Sequence, residues 1–287
     1  MQFWQNILRI LDVSMERPVP YGWFHLLWWA IIILAAIALC RWCKKEHAPR
    51  VMLVIAIIVS VLEIYKQINY SFSYTDGIAY DYQWYAFPFQ FCSTPMYIGL
   101  LAGLTRKGAV HRAASAYLAT FALFAGLCVM FYPNDVFIET VGINIQTMIC
   151  HGSMVFQGIY LLYCGYVKLE HKTILRAASV FSICVGIAVI LNEIAHQTGL
   201  LERETFNMFF VSPYCAPSLP VYSLVQGVVP FPWCLVLYIA GFSLAAYLIL
   251  LTAMGLQKLG KKTAAKIAQQ KGIPGRVSLY YFGWSAS

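Results

Sequence analysis

A thiol and an imidazole can share acyl-transfer chemistry: the imidazole takes the thiol proton and the thiolate attacks a carbonyl carbon. The chain carries nine cysteines and six histidines, and their settings separate them. Cys92 stands in FPFQFCSTP and His151 in ICHGSMVF. Eight cysteines, Cys92 among them, fall in or beside apolar stretches, which leaves Cys215 alone in a polar loop and excludes a disulfide framework. Cys40 and Cys43 have C-x-x-C spacing, but no thioredoxin-like pattern surrounds them. A metal centre would have to be drawn from His25, His151 and His196 with Glu63 and Glu193. No two of these share i, i+4 spacing and the last apolar stretch supplies no ligand, so no metal site is assigned. Thiol chemistry needs no cofactor.

The elements that must position these groups are membrane helices. Of 287 residues, 60% are hydrophobic and 11% charged, against about a quarter charged in a soluble domain. A crossing helix needs about 20 apolar residues, and seven stretches qualify: 23–41, 51–70, 86–105, 113–131, 143–167, 174–196 and 229–254. Continuous apolar runs exclude a transmembrane barrel, whose strands alternate. The fold class expected is all-α, a polytopic membrane bundle of seven transmembrane helices.

Cations set the orientation. The first, third and fifth connections and the tail hold 16 of the 20 basic residues, including Arg41, Lys44, Arg106, Lys168, Lys258 and Lys266. The opposite loops hold Arg203 against Asp76, Asp81, Asp135, Glu139, Glu202 and Glu204. The positive-inside rule places the C-terminus in the cytosol and the N-terminus outside, in the cell membrane. The net charge of +8 therefore concerns topology and anionic lipid, and nucleic acid is not an expected partner. Residues 1–20 form an interfacial amphipathic segment, with Phe3, Trp4, Ile7, Leu8 and Leu11 on one face and Gln5, Asn6, Arg9 and Asp12 on the other. No basic n-region marks it as a signal peptide. Residues 21–256 form the transmembrane domain and 257–287 a basic cytosolic tail.

Polar groups inside a bilayer cost about 2.5–3.5 kcal/mol each on insertion scales unless paired or facing a cavity. Four predicted helices place them at one depth, within roughly 15 Å of the outer surface at 1.5 Å per residue: Glu63, Lys66, Gln67 and Asn69; Gln90, Cys92 and Ser93; Gln146 and His151; Asn192, Glu193, His196 and Gln197. Glu63–Lys66 and Glu193–His196, each three apart, also fit self-neutralising pairs, and the lone glutamines fit interhelical hydrogen bonds.

FPFQFCSTPMYIGLL resembles the Leu-Pro-Leu-His-Leu-Cys segment of the YwaF-like integral membrane family, which is transmembrane protein 164 acyltransferase-like. His151-Gly152 corresponds to that family's fifth-helix histidine. ETFNMFFVSPYCAPSLPVYSL, followed by Phe231-Pro232-Trp233, is similar to its Asn-Tyr loop, Pro then Ser-Leu element and closing Trp-Pro-Trp-like segment. The resemblance spans roughly residues 55–250 and departs at Gln90, where the family carries histidine. It implies acyl transfer between a phospholipid and a lyso-lipid, with Cys92 as nucleophile and His151 as base. Gln90, Ser93 or Asn192 would then hold the oxyanion. Glu63, Lys66, Glu193 and His196 would orient His151 or bind the headgroup, and the 197–228 loop, with Asn207, Phe209, Phe210, Pro213 and Tyr214, would cap the site. Two other readings use the same layer: a lipid esterase with water as acceptor, and a non-catalytic transporter or receptor with an outer polar binding site.

Overall fold

The computed structural model describes residues 2–73, 78–200, 206–216, 219 and 222–270, without the side chains of 2–5 and 268–270. Asp76, Glu202, Arg203, Glu204, Lys271 and Arg276, together with the side chains of Phe3, Trp4 and Gln5, lie outside the described residues. The chain is a helical bundle. Helix α1 (Gln2–Leu11) precedes α2 (Trp23–Trp42), α3 (Ala48–Asn69), α4 (Thr94–Thr105), α5 (Gly108–Tyr117), α6 (Leu123–Phe131), α7 (Val141–Tyr163), α8 (His171–Gln197) and α9 (Phe231–Gln270). A two-residue hairpin pairs β1 (Phe72–Ser73) with β2 (Ala79–Tyr80).

Five helical stretches are long and apolar enough to cross a membrane: Trp23–Trp42, Lys45–Asn69, Gly108–Phe131, His171–Gln197 and Phe231–Ile267. This is a multi-pass membrane protein. Apolar side chains such as Leu34, Val61, Ile183 and Leu244 face outward from these helices, as expected where the surroundings are hydrocarbon.

Helix α7 has the length to cross but a different composition. It packs against α2, α3 and α6, and buries Asn144, Gln146, Thr147, His151, Ser153 and Gln157. A helix enclosed by protein can carry polar groups because its neighbours, not lipid, must satisfy them. Close approach depends on Gly126 of α6: a Cβ there would stand 2.7 Å from the His151 carbonyl oxygen and 2.8 Å from Met154 Cβ.

The expected helix over 86–105 is corrected by the structure. Only Thr94–Thr105 is α-helical, about 18 Å of rise at 1.5 Å per residue, against a hydrocarbon core of about 30 Å. Pro88 holds Phe87 in an extended conformation (φ −48°, ψ 135°), and Pro95 sits in the first turn of α4, where its missing N–H costs nothing. The 87–93 segment between them closes its backbone locally through Ser93 N–H and Thr94 N–H to Gln90 O (2.9 and 3.1 Å). Gln90, Cys92 and Ser93 therefore lie on a non-helical strap and not in the first turns of a helix.

Between α5 and α6 the chain makes a π-helical turn, Leu118–Ala122. Such turns insert one residue into a helix and recur beside functional sites. At one end of the bundle the N-terminal segment is tied down: Tyr65 donates to Leu11 O (2.7 Å), and Met15 N–H to Glu139 O (2.7 Å). At the other end Tyr160 donates to Lys44 O (2.8 Å) and His111 meets Tyr166 (2.6 Å), so connections rich in cations converge there. Helix α9 continues unbroken into the basic stretch that begins at Lys258.

Candidate functional site

The single polar layer expected from the sequence divides into three groups. The first lies between α3, α7 and the strap. Lys66 Nζ and Glu63 Oε1 are 2.8 Å apart, with 15% and 6% of their side chains exposed. Gln67 donates to the same carboxylate oxygen (2.8 Å) and to Ala86 O (2.8 Å), and Gln146 approaches the second oxygen at 3.5 Å. Tyr82 completes the chain by donating to Gln67 Oε1 (2.6 Å). A buried carboxylate is tolerated when its lone pairs are filled in this way.

Cys92 is half-buried on the strap. Its carbonyl accepts the Cys150 thiol at 3.7 Å, which fixes the strap to the α7 turn carrying His151. His151 Nδ1 meets Thr147 O at 2.8 Å, the i−4 carbonyl of its own helix, so this nitrogen carries the hydrogen and Nε2 is left with its lone pair. Nε2 is buried and makes no hydrogen bond. Cys92 and His151 make no hydrogen bond with each other; the link between their segments is Cys150, the residue before His151, whose thiol reaches the Cys92 carbonyl. Ser93, buried beside Cys92, is the residue before α4 and makes no side-chain cap bond.

The second group holds a loop. Asn192 accepts from Met208 N–H (2.7 Å) and donates to Met208 O (3.0 Å). Gln90 accepts from Phe209 N–H (3.1 Å) and donates to Asn207 O (3.2 Å). Asn207 Oδ1 accepts from Ser212 N–H (2.9 Å), and Tyr238 of α9 donates to Phe209 O (2.7 Å). The loop so held has Phe209 and Phe210 both at φ 57°, a conformation that costs a non-glycine residue energy and persists only where its surroundings over-determine it. The result is a plug: Phe209 is fully buried and stacks on Phe91 at 5.6 Å, next to Cys92. Gln90 and Asn192 thus serve the loop, not a common point above Cys92.

The third group sits on the exposed flank of α8. Tyr214 stacks on His196 with ring centroids 3.6 Å apart and donates to Glu193 (2.7 Å), which also accepts from Gln197 (2.7 Å). The carboxylate pushes the Tyr214 hydroxyl above its ordinary pKa by stabilising the protonated form. Glu193 and His196 make these contacts with the loop and none with Glu63, Lys66 or His151.

His25 is structural: Nε2 meets Met130 O (2.9 Å) and Nδ1 accepts from Tyr21 N–H (2.9 Å). Among the described residues no three His, Cys, Asp or Glu side chains are grouped to hold a metal ion. Sequence reasoning missed Cys150, whose only signal was its place beside His151, and Tyr238, which an apolar helix of many aromatics conceals.

An open groove of about 540 Å³ runs between α3 and α4, lined by Glu63, Ile64, Gln67, Ile68, Met96 and Tyr97. A second, apolar groove of about 450 Å³ follows α4 on the side of α5 and α8, from Phe89 and Thr94 to Val110. No curated protein and no solved structure matches the chain. At the level of families the match is to the TMEM164 family, over residues 20–252. With the strap, the α7 histidine and the closing loop all inside that interval, the chain belongs to the TMEM164 family.

Proposed function

We propose that this protein is a lipid acyltransferase of the cell membrane, crossing it seven times with the cation-rich connections in the cytosol. The observation that carries the reading is a half-buried thiol on a non-helical strap, tied through Cys150 to the turn of a buried imidazole whose Nε2 has no partner. Irregular backbone at membrane depth is retained where it lines a cavity or a site, and an unpartnered buried nitrogen is a standing cost unless it acts.

In the mechanism, a phospholipid acyl chain lies along a groove beside α4 and presents its ester to Cys92. His151 Nε2 removes the thiol proton, and Sγ forms a bond to the carbonyl carbon. Collapse of the tetrahedral adduct breaks the ester C–O bond, and His151 returns the proton to the departing lyso-lipid oxygen. The thioester is then attacked by a lyso-lipid hydroxyl, with His151 taking its proton and handing it back to sulfur. The loop carrying Phe209 keeps water from the thioester. The Glu63–Lys66 pair neutralises itself, which speaks against a solute-binding role built on those charges.

The test is transfer by purified protein in micelles or vesicles from a phospholipid to a labelled lyso-lipid. Cys92→Ala and His151→Ala should each abolish it with the fold retained. Label appearing as free fatty acid makes the protein an esterase, and transfer that survives Cys92→Ala refutes the thiol mechanism.

A further inference from the structure

Helix α7 presents Cys150, Ser153, Met154 and Gln157 at i, i+3, i+4 and i+7, one face of the helix. This face meets Cys92, Pro95 and Met96 of the strap and α4, Ala56 and Val59 of α3, and Leu118 and Ala122 of the π turn, and together they enclose a cavity of about 20 Å³. That is room for a single oxygen-sized atom and its hydrogens.

The polar groups around it are spoken for, with one exception. Ser153 Oγ donates to Cys150 O (2.7 Å), and Cys150 Sγ donates to Cys92 O (3.7 Å). Gln157 is 4% exposed, lines the cavity and makes no hydrogen bond with any described residue. Its amide is not sealed among packed side chains but opens onto this small space. Side chains on a helix lean toward its N-terminus, so the Gln157 amide reaches from its own turn toward Ser153, Cys150 and the Cys92 strap.

We infer that Gln157 is the oxyanion donor of the reaction, its Nε2–H receiving the carbonyl oxygen as Cys92 attacks. This rests on the acyl-transfer reading and adds an amide donor to it: Gln90 and Asn192 are engaged by the loop, which leaves Ser93 as the one sequence-read candidate still beside the thiol. When Sγ bonds to the carbonyl carbon, the π pair of the C=O bond moves onto oxygen; when the adduct collapses, the pair re-forms the double bond and the leaving oxygen departs. A fixed donor in an enclosed cavity stabilises that transient charge without reorganising. The π turn supplies the wall that closes the cavity opposite α7.

Two reagents that both consume the Cys92 thiolate separate this role from a structural one. p-Nitrophenyl decanoate passes through an oxyanion; iodoacetamide alkylates sulfur by direct displacement and does not. Cys92-dependent nitrophenolate release, corrected with Cys92→Ala, should fall about a hundredfold in Gln157→Leu, with Cys92 alkylation unchanged and Tm equal or higher, because the lost amide had no partner. Gln157→Glu, isosteric but anionic or acceptor-rich, should be at least as slow. The assignment is overturned if acylation and alkylation change together, or if wild-type protein shows no Cys92-dependent release. If release and its Gln157 dependence hold while no acyl group reaches a lyso-lipid, the acyltransferase reading fails and the oxyanion assignment stands.

Discussion

Removing the Glu63 carboxylate should expose how strongly the α3 pair depends on itself. Lys66 keeps 15% of its side chain exposed, Glu63 is its one ion-pair partner among the described residues, and the 2.8 Å contact lies beneath Gln67 and Gln146. Breaking a buried pair costs about 3–5 kcal/mol because a charge is stranded; the residual exposure of Lys66 puts Glu63→Ala near the lower figure. At about 2–4 °C per kcal/mol for chains of this class, its Tm in a fixed detergent should fall by about 6–12 °C. Lys66→Met should cost less, about 1–2 kcal/mol, because Glu63 still accepts from Gln67 and Gln146. The double variant Glu63→Gln with Lys66→Met should return to within about 1 kcal/mol of wild type, since no charge is left to strand. Added salt should leave the cycle unchanged, unlike any contribution from Arg176–Glu170, whose side chains are each 39% exposed. A Glu63→Ala protein melting within about 1 °C of wild type, or a double variant less stable than Glu63→Ala, would refute the reasoning.

Two further substitutions probe the packing around the thiol and the loop. Gly126→Ala should destabilise by about 1–3 kcal/mol, because its Cβ meets the His151 carbonyl and Met154 Cβ, neither of which can swing aside; unfolding midpoints in detergent measure it, and an unchanged midpoint means the α6–α7 contact is looser than described. Gln90→Ala should leave the Phe209 N–H without a partner, while the Asn207 carbonyl keeps Phe210 N–H as its donor, and cost about 1–3 kcal/mol. Amide exchange at 207–209 should then rise sharply while exchange in α7 does not, and unaltered exchange would show that Asn192 and Tyr238 hold the loop alone.

The apolar stretches were legible because hydropathy is a property of a segment measured against lipid: 23–41 became Trp23–Trp42 and 174–196 became His171–Gln197. The stretch 143–167 likewise became α7, Val141–Tyr163, although α2, α3 and α6 surround it and it carries buried polar groups. Hydropathy failed at 86–105, because two prolines bracket a strap that composition reads as helix and leave α4 short.

Depth placed Glu63, Gln90, Cys92, His151, Asn192 and Glu193 in one layer, but depth along a helix is only one coordinate. Which face each helix turns toward which neighbour set the partners: Gln90 and Asn192 to the loop, Glu193 to Tyr214, Glu63 to Lys66. Amino-acid sequence alone therefore determined a membrane bundle and a thiol with an imidazole inside it, since both follow from side-chain chemistry and the cost of polar groups in hydrocarbon. Tertiary structure decided which amides are spent and which remains free beside Cys92, because a hydrogen bond is fixed by the meeting of two surfaces that no single segment encodes.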